Sequence, residues 1–131
     1  MSSYHTLLID SHILIWAAYE PHRLKKQTSS VIINAENLLI SQASLIELAF
    51  KYASGKLRYT PDHLYKAVEA LDADILPVEL LHLAEMPNIF LPHKDPFDRL
   101  LLAQTVSEDL TLLTADTNLL VSNYPTLDAR L

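Results

Sequence analysis

Four short apolar runs recur along the chain at residues 6–9, 38–40, 74–78 and 110–113, and each is followed by residues of helical periodicity. The runs are too short for helices and rich enough in Leu and Ile for strands buried on both faces. Strands that alternate with helices in this way build parallel sheets through right-handed crossovers. The expected fold is α/β: a three-layer α/β/α sandwich around a central parallel sheet of four to five strands. In such sheets ligands bind beyond the carboxyl ends of the strands, where strand order reverses. What stands just after each run therefore matters most.

The helices between the runs are placed by their punctuation. Residues 11–19 form a short helix stopped by Pro21, and residues 22–35 a second with an inner stripe of Leu24, Thr28, Val31, Ile32 and Ala35. Residues 41–53 form a third, which Gly55 is placed to terminate. Thr60-Pro61 opens a helix to about residue 70, with Thr as N-cap and Pro in the first turn. Residues 79–85 form a short helix closed by Pro87. Asp95-Pro96 starts another that runs through Leu100, Leu101, Ala103 and Val106. The tail, 126–131, is open between a fifth strand and a frayed end. The 131 residues carry neither repeat nor linker and fit one domain spanning 1–131.

Composition removes several chemistries. The chain has no cysteine, which excludes disulfides, zinc thiolates and a thiol nucleophile, and a single glycine, which excludes a glycine-rich phosphate loop. Its first apolar run lacks a preceding Lys or Arg and stops at Asp10, unlike a signal peptide or membrane span. A cytoplasmic location is expected. The formal net charge of −6 is the reverse of what charge-driven nucleic-acid binding requires. Either nucleic acid is not the substrate, or the acids gather where a cation offsets them.

Asp10 follows the first strand, Glu47 lies in the helix after the second, and Asp116 comes shortly after the fourth. Asp98 lies in the first turn of the Pro96 helix. Each also has a structural explanation. Ser44 to Glu47 matches a capping box, Asp95 to Asp98 resembles one, and Asp116 suits the start of a short helix. Acids in first turns gain roughly 0.3–1 kcal/mol from the helix dipole. As a set they are harder to explain as caps. Carboxylates about 4 Å apart repel by roughly 4 kcal/mol at an effective dielectric of about 20. A cluster needs protonation or a cation between its members. With oxygen donors only, that cation is Mg²⁺ or Mn²⁺, which activates water and stabilises a leaving oxygen in phosphodiester cleavage.

The stretches LLIDSHILIW, ISQASLIELAFKYASGKL, LPHKDPFDRLLLAQT and LTLLTAD together resemble the PIN domain family, and within it the VapC-type toxins of bacterial toxin–antitoxin pairs. The likeness covers nearly the whole chain in order. It implies a metal-dependent endoribonuclease whose acidic set maps onto Asp10, Glu47, Asp98 and Asp116, with Mg²⁺ or Mn²⁺ as cofactor. Products with a 5′-phosphate and a 3′-hydroxyl are implied. So are an RNA substrate, a homodimer and a cognate antitoxin whose C-terminal segment covers the site. Thr114 matches a hydroxyl position near the metals, and Asp95 is an additional acid.

His12 stands where many members have a small polar residue, and is expected to be a hydrogen-bonded structural residue. His5, His63, His82 and His93 lack ligand spacing and are expected to be structural or exposed. Trp16, Phe50 and Tyr52 are expected in the core or a dimer contact. Arg23, Lys25 and Lys26 are read as a solvated face, while Lys51 and Lys94, each near an acid motif, could touch phosphate, and Arg99 should point away from Asp98. Two alternatives are a non-catalytic PIN-like module that binds RNA or protein, and an aspartyl-phosphate acceptor. The second wants paired acids at the first strand and a late Lys, a pattern this chain lacks.

Overall fold

Alternation along the strands decides which side chain meets which layer of helices. In the computed structural model, which describes residues 6–92 and 94–130, β1 (Thr6–Ile9) sends Leu7 and Ile9 to one face and Leu8 to the other. β2 (Asn37–Ser41) and β4 (Thr111–Thr114) flank it in parallel, with Leu8 opposite both Leu39 and Leu112. β3 (Asp74–Leu76) and β5 (Thr126–Asp128) form the edges, giving the order β3-β2-β1-β4-β5. All five strands run parallel.

Helices cover both faces, so the sheet has two cores. On one, Leu7, Ile9, Ile40 and Leu113 meet Ile13 and Leu14 of α1 (Ser11–Tyr19), Ile32 of α2 (Lys26–Asn34), Leu48 of α3 (Gln42–Ala53) and Leu64 of α4 (Pro61–Ala70). On the other, Leu8, Leu76 and Leu112 meet α6 (Pro96–Ser107) through Leu101 and Leu102, and α7 (Thr117–Leu120) through Leu119. α5 (Leu80–Glu85) packs on α6. Each fully buried Leu or Ile contributes roughly 1.5–3 kcal/mol against leaving it exposed.

The chain steps outward from β1 to β3 and then returns to lay β4 on the opposite side of β1. The order reverses between β1 and β4, and a crevice opens at their carboxyl ends.

Some boundaries differ from the expected ones. Pro21–Arg23 closes a 3₁₀ turn and Leu24 is extended and buried, bridging Arg130, so the second helix starts at Lys26 rather than residue 22. β3 stops at Leu76 because Pro77 has no N–H to continue the ladder. The tail does supply a strand, β5, held to β4 from Thr126 to Asp128. Ser41 caps α3 by accepting the Ala43 N–H at 3.0 Å, so the helix begins one turn ahead of Ser44. Gly55 ends that helix as expected: at φ +78° it lets the Lys56 N–H reach the Lys51 carbonyl at 2.8 Å. Among the described residues no helix is long and apolar enough to cross a membrane.

Candidate active site

Asp10 is the first residue beyond β1, and the edge of β4 fixes it. Its backbone N–H donates to the Leu113 carbonyl at 2.9 Å. Carboxylate Oδ1 accepts the Ser11 N–H at 2.7 Å, capping α1, and Oδ2 accepts the Thr114 hydroxyl at 2.7 Å. Thr114 is fully buried, and its Oγ1 in turn accepts the Asp116 N–H at 3.0 Å. A relay of two hydrogen bonds thus ties Asp116 to Asp10 across the β1/β4 crevice. Asp116 uses Oδ1 to accept the Asn118 N–H at 2.9 Å, so it caps α7 while facing the crevice.

Glu47 arrives from the second turn of α3. Because Ser41 is the N-cap, Glu47 is not the third residue of a capping box, and that structural explanation falls away. The Ser11 hydroxyl donates to Glu47 Oε1 at 3.0 Å and lies 3.3 Å from Asp10 Oδ1. One hydroxyl proton serves two carboxylates, which leaves lone pairs on both for another partner. Ser11 was not singled out from sequence; its only signal was its place directly after Asp10. Lys51 Nζ lies 3.9 Å from Glu47 Oε2.

Asp98 enters from the first turn of α6, where Asp95 is the N-cap, accepting the Phe97 and Asp98 N–H groups at 2.9 and 3.3 Å. The two acids have different tasks at the backbone, yet both line the same cleft. That cleft is about 340 Å³ and is walled by Asp10, Glu47, Asp98 and Asp116, with Asp95, Ser11 and Lys51 among its other residues. All four acids singled out from sequence therefore share one crevice at the carboxyl edge.

The remaining candidates sort as follows. Arg99 turns away from Asp98 and donates to the Met86 and Ile89 carbonyls. Lys94 is exposed and outside the cleft lining. His63 completes the cap of α4, and His82 is buried between the Glu79 N–H and the Glu108 carboxylate. His5 and His93 lie outside the described residues. Phe50 and Tyr52 are exposed rather than in the core. Two readings change at the cleft itself. His12 is exposed there, and no described residue hydrogen-bonds its ring; Trp16 packs partly on the core but also lines the cleft.

The donor set fits a hard divalent cation: carboxylates from four elements, the hydroxyls of Ser11 and Thr114 beside them, and no thiolate. Among the described residues no three acidic or imidazole side chains are drawn into a ready-made cage. Mg²⁺ keeps several of its waters and binds through few carboxylates, so an open cleft suits it.

The PIN domain family model matches residues 7–122. The chain belongs to the PIN domain family. A curated relative, Ribonuclease VapC22 of Mycobacterium tuberculosis, is 28% identical over 123 residues, covering 92% of this chain and 94% of that protein. Among solved structures, this PIN domain resembles DNA-bound VapBC from Salmonella typhimurium, with a TM-score of 0.68 at 15% identity over 94% of this chain and 97% of that one. It also resembles VapBC2 from Rickettsia felis bound to a promoter DNA fragment, with a TM-score of 0.65 at 14% identity over 95% and 98%. At such identities the structural likeness speaks for the PIN fold alone.

Proposed function

We propose that this PIN domain is a Mg²⁺- or Mn²⁺-dependent endoribonuclease and the toxin of a toxin–antitoxin pair. The observation that carries the reading is the meeting of Asp10, Glu47, Asp98 and Asp116, from four separate elements, in one cleft at the strand-order reversal. Family membership and the ribonuclease relative support it.

In this reading Asp10, Glu47, Asp98 and Asp116 would hold the cation. Bound there, a divalent ion supplies a water of lowered pKa and neutralises charge on the phosphate. The protein's own part is placement. Thr114 and Ser11 orient Asp10, and Ser11 also orients Glu47, so that their free lone pairs face the cleft. Lys51, the one cation among the lining residues, draws the phosphate to this wall. Among the described cleft residues the Ser11 hydroxyl is committed to Asp10 and Glu47, and the reading assigns the attack to water. An acidic cleft also suits inhibition by an antitoxin segment that brings a basic side chain to the carboxylates. The VapBC neighbours support such a partner. Exposed apolar side chains, Phe50 at 71% and Leu80 at 83%, offer contact area for a homodimer.

Purified protein incubated with single-stranded RNA and Mn²⁺ tests this directly. The expected result is cleavage to 5′-phosphate ends that EDTA abolishes and Asp10→Asn lowers by more than about a hundredfold, beyond the cost of losing a supporting neighbour. Cutting that ignores both controls belongs to a contaminant and sinks the proposal.

A further inference from the structure

The cleft has a second wall that the cation chemistry leaves without a task. His12 and Trp16 stand one turn apart on α1 and both line it. Their ring centroids are 6.2 Å apart, inclined at 53°. The Arg23 guanidinium lies 5.4 Å from the Trp16 ring centroid, and its Nε is held by Glu20 at 2.8 Å. Core packing explains only part of the indole, and no described residue hydrogen-bonds the His12 ring, whose ring contact is with Trp16.

Charge makes this wall informative. A protein holds RNA electrostatically by neutralising phosphates with Lys and Arg. This chain carries −6, and among the described cleft residues Lys51 is the one cation. Retention of a strand at this site needs a contribution that does not depend on basic residues. Stacking of an unpaired base on an aromatic face is such a contribution, and Trp, His and Arg are the side chains that provide it.

We propose that Trp16, flanked by His12 and backed by Arg23, is a stacking subsite for an unpaired nucleobase of the RNA next to the phosphate held at Asp10. Arg23, already neutralised by Glu20, supports the indole rather than gripping phosphate. The His12 imidazole presents ring nitrogens that can donate to or accept from a base edge, and so biases which base is taken. The inference rests on the ribonuclease reading, but it can fail separately.

Trp16 is the chain's single tryptophan, so its emission reports on this wall alone. The purified chain, with Ca²⁺ replacing Mg²⁺ so that strands stay intact, is titrated with a labelled single-stranded oligoribonucleotide and with an abasic strand of equal length and charge. The base-bearing strand is expected to quench the emission and to bind at least about tenfold more tightly, judged by anisotropy. Trp16→Phe retains most of that difference and Trp16→Leu loses it. Equal quenching and equal affinity for the two strands overturns the subsite, as does unchanged affinity in a Trp16→Leu protein with a native circular dichroism spectrum. If that variant misfolds, the two-strand comparison on the unaltered chain decides. Cleavage in Mn²⁺ without base-dependent quenching removes the subsite and leaves the nuclease; quenching without any cleavage does the reverse.

Discussion

Thr114 holds the Asp10 carboxylate from the neighbouring strand. Its hydroxyl, on a fully buried side chain, donates to one carboxylate oxygen and accepts from the backbone of Asp116. Thr114→Val keeps the shape and removes both bonds. The expected outcome is a loss of about 1–3 kcal/mol in urea unfolding and about a 10- to 100-fold fall in cleavage rate. A fall in stability with the rate unchanged would show that the relay serves the fold alone. At this scale the sequence was readable where a side chain's place follows from a strand end, as for Asp10 and Asp116 at the carboxyl edge of the sheet. It was less readable where the task comes from a neighbour distant in the chain. Ser11, beside Asp10, reaches Glu47 across 36 positions, and no spacing announces that. Trp16 was read as core or dimer contact because helical periodicity cannot separate a stripe that is wholly buried from one whose edge opens onto a cleft.

Elements meet the expectation best where a residue carries its own stop signal. Gly55 closes α3 at φ +78°, a conformation that strains any side chain although nothing lies within 4 Å of the Cβ site. Gly55→Ala is expected to lower stability by about 1–2 kcal/mol through backbone strain alone, measurable by thermal melting with activity preserved. Pro77 cut short the third strand, which was expected to run to residue 78. β5 was undecided because its hold is tertiary. Asp128 pairs with both Nε and Nη2 of Arg130, at 3.0 and 2.8 Å, and lies 3.8 Å from Lys25 on the way into α2. The bonds from Arg130 hold the Asp128 carboxyl down to about 2. A carboxyl lowered on folding contributes stability that is complete above its ordinary value of 3.8 and lost as pH falls through about 2. The side chain is a third exposed, so the contribution stays under about 1 kcal/mol. Asp128→Asn should melt slightly below the unaltered protein at neutral pH, and the gap should close near pH 2. A gap that persists there would assign the effect to packing.

For the molecule as a whole, the proposed cation site, where acids crowd at one edge of a chain of charge −6, would link cation binding to folding. At a free Mn²⁺ concentration a hundred times its dissociation constant, the folded state gains about 2.7 kcal/mol. Thermal unfolding should therefore rise by several degrees with Mn²⁺ and return with EDTA, and Asp10→Asn should flatten that response. An unchanged melting curve across the Mn²⁺ titration would mean that the cleft does not take the ion. The layered architecture was legible at this scale because alternation of strand and helix leaves few solutions, while the pairing that closes the crevice spans almost the entire chain. Asp10 meets Thr114 across 104 positions. A polypeptide still emerging from the ribosome therefore carries Asp10, Glu47 and Asp98 before the strand that leads to Asp116 has been made. Under the proposed function the cleft is whole only once the penultimate strand lies beside the first, so a chain cut short before that strand should bind no cation and cleave no RNA.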